Sequence, residues 1–246
     1  MTKLTVIIPT LNEESNVQRA LDSAFFADEI IVIDSFSSDR TVDIVKKNKA
    51  ILLQRKFDNF SSQKNYAIDK ASNEWVFLLD ADEEITKELR ESILLNLNCD
   101  TTHSGFLLKR ETFMKEQKLN FGGFRNNIVR LFKKNGSFYT GMVHEQIIIE
   151  GSIGKLKGSL NHYTYANFAQ FKTKIEHYAQ LRALELHSKH KKVTLYHEWV
   201  KPAARFVIHY IIKLGCFDGK QGLHFSYLIS YGVWKRFQLL KKLNNK

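Results

Sequence analysis

The sequence predicts an α/β protein with a mostly parallel sheet, followed by a helical segment at the carboxyl end. Short apolar runs alternate with helix-like stretches over the first hundred residues, and strand-like stretches separated by glycines come next. From about residue 167 the chain becomes helical, basic and aromatic. We therefore expect an α/β domain over residues 1–165 and a helical segment over residues 166–246.

Strand and helix signals alternate along the first hundred residues. Strands are predicted at the apolar runs, and helices where apolar residues recur near helical spacing. The predicted strands are Leu4–Ile8, Glu29–Asp34, Ile51–Gln54 and Trp75–Leu79, and the predicted helices are Glu14–Phe26, Asp39–Lys47 and Phe60–Ala71. Repeated β-α-β units form parallel sheets with helices on both faces.

Three further strands are predicted after residue 100, at Ser104–Arg110, Ile128–Lys133 and His144–Glu150. Glycines and loops separate them, and no linker of low complexity precedes them. We expect these strands to extend the first sheet rather than to form a new domain.

The composition indicates a globular protein with a basic surface. The chain has 246 residues, with 37 Lys and Arg against 26 Asp and Glu, which leaves a net charge of +11. Such a surface favours nucleic acid, acidic lipid or phosphorylated small molecules. Two cysteines imply no disulfide framework, and neither a signal peptide nor a spanning apolar segment is evident. We expect a cytoplasmic protein.

Polar residues follow three of the predicted strands. Thr10, Asn12 and Glu13 come after the first strand, and Asp34 and a serine-rich turn end the second. In an open parallel sheet, ligands bind beyond the carboxyl ends of the strands. These residues could equally cap the next helix or form a turn.

An acidic cluster after the fourth strand is harder to explain as a turn. Strand alternation predicts that Asp80 and Asp82 point the same way, and Glu83 and Glu84 add negative charge. Such oxygens suit Mg²⁺ or Mn²⁺, which often bind through one or two carboxylates plus substrate phosphates. A divalent metal site is predicted here.

Four motifs in order resemble glycosyltransferase family 2 over roughly residues 3 to 150. They are Val6-Ile7-Ile8-Pro9-Thr10-Leu11-Asn12-Glu13-Glu14, Ile31-Val32-Ile33-Asp34-Ser35 with Ser38-Asp39-Arg40-Thr41, Lys64-Asn65, and Asp80-Ala81-Asp82. The resemblance implies the GT-A fold, which binds nucleotide sugars, and inversion at the anomeric carbon. His144-Glu145, Arg130-Leu131-Phe132 and His162-Tyr163-Thr164-Tyr165 are similar to the lipopolysaccharide-core glucosyltransferases within that family.

The resemblance implies a role for each matching residue. Asp82 would bind the metal that bridges the diphosphate, Asp80 would lie near the ribose or the metal, and Lys64 would contact the base or a phosphate. The residues expected to hold the nucleoside are Pro9, Thr10, Asn12, Glu13 and Asp34.

Inversion requires a general base on the face of the sugar opposite the leaving group. The family supplies an Asp or Glu late in the catalytic domain, and Glu145 is the predicted base, with Glu83 or Glu84 next. His144 could be a structural histidine, a metal ligand or a contact to the acceptor.

The predicted function is metal-dependent transfer of a hexose to a membrane-associated acceptor. The narrower resemblance implies glucose from UDP-glucose as the donor and the lipopolysaccharide inner core as the acceptor. A polyprenyl-linked or other glycan is the alternative acceptor. A nucleic-acid-binding protein would use the same basic surface, but no zinc, RNP-like or KH-like motif is present. An inactive lectin-like protein or scaffold is the other alternative. Assays of UDP-sugar turnover and of oligonucleotide binding would distinguish the enzyme, the nucleic-acid-binding protein and the inactive protein.

The carboxyl-terminal segment combines aromatic and basic residues on two short apolar stretches, Arg205–Lys213 and Leu223–Val233. Neither is long enough to span a bilayer. Two apolar helices with basic ends suit a helical anchor lying on an anionic membrane. We therefore expect an enzyme peripheral to the inner face of the cytoplasmic membrane. The alternatives are a helical pair packed on the catalytic domain and a dimer interface.

Overall fold

The computed structural model describes residues 2–99, 101–114, 117–123, 126–141, 145–165 and 168–245. The chain divides into two compact units, of which the first comprises Met1–Arg110 with Asn127–His162 and the second Glu111–Asn126 with Tyr163–Lys246. Residues 111–126 belong to the second unit although the sequence suggests no break there. Within that unit the Asp218 carboxylate accepts the backbone N–H groups of Asn120 at 3.0 Å and Phe121 at 2.9 Å.

In the described part of the chain, nine strands form one sheet in the order β3-β2-β1-β4-β8-β6-β11-β5, with β7 paired to β6. β9 and β10 form a separate antiparallel hairpin. The strands are β1 (Leu4–Thr10), β2 (Glu29–Asp34), β3 (Ile51–Gln54), β4 (Trp75–Leu78), β5 (Glu83–Ile85), β6 (Gly105–Met114), β7 (Gln117–Leu119), β8 (Asn126–Lys133), β9 (Ser137–Thr140), β10 (Gln146–Ile149) and β11 (Ile153–Tyr165).

The order of the first four strands creates a binding crevice. β1 pairs in parallel with both β2 and β4, and β2 pairs in parallel with β3. The chain therefore moves outward from β1 to β3 and then returns to the other side of β1. In open α/β sheets such a change of direction places a ligand-binding crevice beyond the carboxyl ends of the strands, here those of β1 and β4.

Strands that run in the opposite direction complete the first unit around this crevice. β8 pairs antiparallel with β4, with Phe77 opposite Leu131, and β11 pairs antiparallel with β5, with Glu83 opposite His162. The amino-terminal half of β8 therefore lies beside the carboxyl end of β4. Side chains separated by 50 to 80 residues in sequence are brought to one edge by this pairing.

The core of the first unit has an apolar layer on each face of the sheet. Val6 and Ile8 of β1 pack into one layer, while Ile7 between them packs into the other. This alternation explains why the parallel strands are continuous apolar runs. Helices or the β9–β10 hairpin cover the faces. The helices of this unit are α1 (Val17–Ala24), α2 (Thr41–Lys47), α3 (Phe60–Lys70) and α4 (Lys87–Asn98).

Helices dominate the second unit, in which α5 packs along α7. Phe225, Leu228 and Val233 of α7 are buried there, so much of the predicted stretch Leu223–Val233 packs internally. The elements are α5 (Phe168–Ser188), a π-helix (Tyr196–Val200), α6 (Lys201–Val207), a second π-helix (Ile208–Ile212), a 3₁₀ turn (Gly215–Asp218) and α7 (Gly219–Asn244). None of the helices that the structure describes is long and apolar enough to cross a membrane.

The predicted fold class, an α/β sheet followed by carboxyl-terminal helices, is confirmed, with the parallel pairing concentrated in β1–β4.

Candidate active site

Asp34 ends β2 and is completely buried at the crevice. Its Oδ1 accepts hydrogen bonds from the hydroxyls of Thr10 at 3.1 Å and Ser37 at 2.5 Å, and its Oδ2 accepts the Ser37 backbone N–H at 2.9 Å. A buried carboxylate needs such donors to offset the loss of water. The half-buried Pro9 precedes Thr10 in β1 and lies opposite Ile33. Asp34 therefore fixes the loop that follows β2.

Asn12 ties the loop after β1 to the loop after β2. Its backbone N–H donates to the Ser37 hydroxyl at 2.8 Å, and its side-chain oxygen accepts the Ser38 backbone N–H at 2.8 Å. The next residue continues the contact, because the Glu13 backbone N–H donates to the Thr41 hydroxyl at 2.8 Å. Both predicted nucleoside-binding residues thus shape the crevice by holding its two loops together.

Each of these loops contains a non-glycine residue in the left-handed region of backbone space. Asn12 has φ 55° and the exposed Phe36 has φ 61°. Asparagine tolerates this conformation, whereas for most other side chains it costs about 1–2 kcal/mol. Backbone strain of this kind concentrates at ligand-binding loops, which supports the assignment of this edge as a site.

The acidic cluster lies in a turn and not on a strand. β4 ends at Leu78, and the Glu83 backbone N–H donates to the Asp80 carbonyl at 2.9 Å to close the turn. The expectation that strand alternation orients Asp80 and Asp82 alike was therefore wrong. The two carboxylates have different partners, Arg130 for Asp80 and His162 for Asp82.

Arg130 of β8 joins two carboxylates of this turn. Its guanidinium forms an ion pair with Asp80, and its Nη2 lies 2.8 Å from Glu83 Oε1. Arg110 approaches the same Glu83 oxygen at 3.5 Å. Glu83 is completely buried and its Oε2 also accepts the Asp80 backbone N–H at 3.0 Å. Glu83 is thus a structural residue of the turn, which removes it as an alternative general base.

The charges in this network shift one another's pKa values. Burial by itself would raise the pKa of Asp80, but the positive charges of Arg130 and then Lys64 hold it well below its ordinary value. For Glu83, burial prevails over Arg130, and with the neighbouring Asp80 carboxylate it raises the pKa. Burial opposes the charge of Arg130, yet Asp80 and Glu83 raise its pKa. Asp80 therefore stays anionic at the crevice.

Asp82 lies beside His162, with Oδ2 3.3 Å from Nε2, and both side chains are largely shielded from solvent. A carboxylate oxygen and an imidazole nitrogen are both common metal ligands. The described residues include no cluster of three or more His, Cys, Asp or Glu side chains that could hold a metal. A pair is nevertheless sufficient where substrate phosphates supply further ligands, so the donor set fits a diphosphate-bound cation.

Lys64 of α3 pairs with the predicted base. Its Nζ lies 2.7 Å from Glu145 Oε1, and the Lys64 side chain is buried while that of Glu145 remains 22% exposed. The same ammonium lies 5.1 Å from the centre of the Tyr139 ring, within the range of a cation–π contact. Glu145 is therefore oriented by a buried cation and still accessible to a substrate.

The segment before Glu145 is attached to α3 by hydrogen bonds to its backbone. The Asn65 side chain donates to the Tyr139 carbonyl and accepts the Tyr139 N–H, both at 2.8 Å. The Ser61 hydroxyl donates to the Gly141 carbonyl at 2.5 Å. These contacts fix the approach of the chain to Glu145. The predicted residue His144 lies outside the described residues.

Sequence reasoning assigned no role to Arg130 or His162, although both occur in the quoted motifs. No feature of the neighbouring sequence indicates a role for either residue, because each meets its partner only through the antiparallel pairing of strands that are far apart in sequence. The other alternative base, Glu84, lies on β5 opposite Asn161.

One protein family matches most of this chain. The model of glycosyl transferase family 2 matches residues 5–168. The chain belongs to this family. The predicted family is therefore confirmed, and the protein is a family 2 glycosyltransferase whose candidate site residues, Pro9 to His162, lie within the matched part.

Curated relatives of this glycosyltransferase are similar over nearly the whole chain. An uncharacterized glycosyltransferase of Rickettsia typhi is 26% identical over 100% of this chain and 89% of its own length. The lipopolysaccharide core biosynthesis glycosyltransferase LpsC of Rhizobium meliloti is 24% identical over 98% of this chain and 95% of its own length.

Solved structures resemble the glycosyltransferase only in part. Glucosyl-3-phosphoglycerate synthase from Mycobacterium tuberculosis, in complex with Mn²⁺, UDP and glucosyl-3-phosphoglycerate, is 19% identical with a TM-score of 0.38. The match covers 46% of this chain and 44% of that chain. This partial structural similarity does not identify the donor or the metal of this protein.

Proposed function

We propose that this glycosyltransferase transfers glucose from UDP-glucose, with inversion, to a membrane-associated acceptor, the lipopolysaccharide inner core. The observation that carries the proposal is that Lys64 contacts an accessible carboxylate, Glu145, while its charge also acts on Asp80 of the acidic turn. The similarity to LpsC supports the acceptor class. A polyprenyl-linked glycan is the alternative acceptor.

The donor is assigned to the crevice between β1 and β4. The loops joined by Asn12 would enclose the nucleoside, with Thr10 and Asp34 at its floor, and Asp80 would face the ribose. Because Arg130 keeps Asp80 anionic, Asp80 can accept hydrogen bonds from ribose hydroxyls.

Asp82 and His162 are the residues proposed to hold a divalent cation, Mg²⁺ or Mn²⁺. Such a cation would neutralise negative charge on the departing diphosphate. The contribution of the protein is to keep both side chains together, Asp82 in the closed turn and His162 on β11. Lys64 brings a further positive charge to the same site.

Glu145 is the proposed general base. The acceptor hydroxyl would attack the anomeric carbon, the bond from that carbon to the phosphate oxygen would break, and its electron pair would leave with UDP. The hydroxyl proton would pass to Glu145. Because Lys64 engages Oε1, Oε2 is the oxygen proposed to receive the proton. One displacement at carbon with the base opposite the leaving group gives inversion.

The test is the Glu145→Gln variant, which keeps the size of the side chain and removes its basicity. Loss of a positioned base lowers rates by about 10² to 10⁴, so we expect kcat to fall by that factor. The dissociation constant of UDP-glucose should change by less than about threefold, because Glu145 does not bind the nucleotide. Turnover and calorimetric UDP-glucose binding measure the two quantities.

The matched control is Glu150→Gln, the same change at an exposed glutamate five residues away. It should leave both quantities unchanged. Activity of Glu145→Gln within a few-fold of the parent would exclude Glu145 as the base. Initial rates with a panel of UDP-hexoses, with and without Mn²⁺, test the donor and the metal. A higher kcat/KM for another hexose would overturn the assignment of glucose.

A further inference from the structure

The net charge of the protein is confined to its carboxyl-terminal third. Residues 168–246 contain 15 Lys and Arg against four Asp and Glu, a net charge of +11. The preceding 167 residues contain 22 basic and 22 acidic side chains and are neutral. The excess of basic over acidic side chains therefore lies entirely in residues 168–246. None of the proposed donor-site residues lies in this segment.

One long helical stretch of this segment is attached to the second unit along a single side. It runs from Leu195 to Ile212 through the two π-helices and α6. Glu198 is buried and pairs with Lys241 at 2.8 Å, and the Pro202 carbonyl accepts the Ser230 hydroxyl at 2.8 Å. Buried His209 likewise contacts the Gly122 carbonyl through Nδ1, also at 2.8 Å. These contacts leave the opposite side of the stretch exposed.

Large apolar side chains occupy the exposed side. Leu195, Trp199, Val207 and Ile211 are separated by multiples of four residues, the spacing that places side chains on one helix face. Leu195 is 74% exposed and Trp199 66% exposed, and just beyond the stretch Phe217 is 70% exposed. Single exposed apolar residues are ordinary, but several large ones along one helix face mark an interaction surface.

Exposed cations surround this row. Lys192 precedes it, Lys201 and Arg205 lie within the stretch, and Lys213 and Lys220 follow it. Burial, and then the charges of Arg236 and other neighbouring cations, lower the pKa of Lys201. The surface therefore combines an apolar face with a positive field that favours anions.

We propose that this face, which we call the 195–217 face, docks on the interface of an anionic lipid bilayer. Its apolar side chains would enter the boundary between headgroups and acyl chains, and the surrounding cations would contact acidic headgroups. A second copy of the chain is disfavoured, because it would bring two strongly positive surfaces together. Nucleic acid would satisfy the cations but would leave aliphatic residues such as Leu195 and Ile211 without partners.

The experiment is flotation of the full-length protein with vesicles of phosphatidylcholine and phosphatidylglycerol, compared with phosphatidylcholine alone. The apolar variant carries Trp199→Ser, Ile212→Ser and Phe217→Ser, all highly exposed positions. We expect its partition coefficient on anionic vesicles to fall at least about tenfold, because each substitution removes apolar surface that would be buried in the bilayer interface. The parent should bind neutral vesicles weakly.

Two further variants separate apolar burial from charge and from general surface effects. Lys201→Gln with Arg205→Gln should weaken binding at low salt about tenfold or more, because each cation near an anionic surface adds about fivefold, and should reduce the salt dependence. Phe25→Ser with Leu95→Ser removes equally exposed apolar side chains from the first unit and should bind like the parent.

Several results would overturn the proposal. The parent protein could fail to float with anionic vesicles at low salt, or the apolar variant could float as well as the parent. A parent dimer that the apolar variant converts to a monomer, without vesicle binding, would assign the face to self-association. Oligonucleotide binding without vesicle binding would assign it to nucleic acid. The affinity for UDP-glucose should be unchanged in every variant, because none of the substitutions touches the donor site. An unchanged affinity shows that the donor-binding unit is folded. Vesicle binding can then be judged separately from the proposed transfer reaction.

Discussion

Replacing Arg130 with methionine should destabilise the protein strongly at neutral pH. The Arg130 side chain is 8% exposed and neutralises Asp80 and Glu83, of which Glu83 has no exposed surface. Removing one partner of a buried ion pair leaves an uncompensated charge and lowers the unfolding free energy by about 3–5 kcal/mol. Because a third of the Asp80 side chain is exposed, we expect a loss near the lower end, about 3 kcal/mol.

The loss should depend on pH in a defined direction. In the parent, the lowered pKa of Asp80 contributes stability that is present above its ordinary pKa and lost as the pH falls towards the folded value. Without Arg130, Glu83 and Asp80 repel each other, and the raised pKa of Glu83 rises further. Protonation of Glu83 then relieves the repulsion, so the difference from the parent should shrink as the pH falls from neutral towards the ordinary pKa of a glutamate.

Denaturant unfolding followed by circular dichroism, at neutral and mildly acidic pH, measures both effects. The double variant Arg130→Met with Glu83→Gln removes the stranded buried charge and should recover much of the stability. Arg110→Met is the matched control, because Arg110 is more exposed and lies 3.5 Å from Glu83. Its loss should be about 1 kcal/mol or less. Equal stability of Arg130→Met and the parent at neutral pH would refute the reasoning, as would a loss that does not change with pH.

Two other substitutions test the crevice. Asp82→Ala should abolish transfer and weaken UDP-sugar binding in Mn²⁺ at least about tenfold, because a carboxylate ligand is lost; undiminished affinity and metal-independent activity would exclude Asp82 as a ligand. Asn12→Ala should raise the KM for the donor and lower the unfolding free energy by about 1 kcal/mol, because the Ser38 N–H loses its acceptor. Asn12→Gly, which suits φ 55°, separates strain from the lost hydrogen bond, and an unchanged KM in both would show that the loops do not shape the donor site.

The sequence was sufficient to predict the parallel half of the fold. Trp75–Leu79, and Leu4–Ile8 apart from Thr5, are apolar because both faces of β1 and β4 are buried, and this composition is visible without a structure. The acidic turn was predicted as a cluster, but the orientation of Asp80 and Asp82 was not. That orientation depends on the strand ending at Leu78, where no residue gives a clear stop signal.

Contacts between distant parts of the chain could not be predicted. Arg130 lies 50 residues from Asp80, and Lys64 lies 81 residues from Glu145. Which residues meet depends on strand order and register, and both are set by the packing of the whole sheet. In the carboxyl-terminal segment, composition gave aromatic helices but not their faces. Phe237 is buried while Trp199 is exposed, although both are aromatic residues on helices of the same basic segment.

The side chain of Asn65 has a further consequence for the β9–β10 hairpin. A two-stranded sheet exposes unpaired peptide groups along its outer edges, and such edges can recruit strands from other molecules. The Asn65 amide has the same donor and acceptor as a peptide bond, and it occupies both the N–H and the carbonyl of Tyr139. A side chain on a helix thus imitates the strand that β9 lacks. At Tyr139 it therefore leaves no free peptide group for a foreign strand to pair with, and it does so without a further strand beside Glu145.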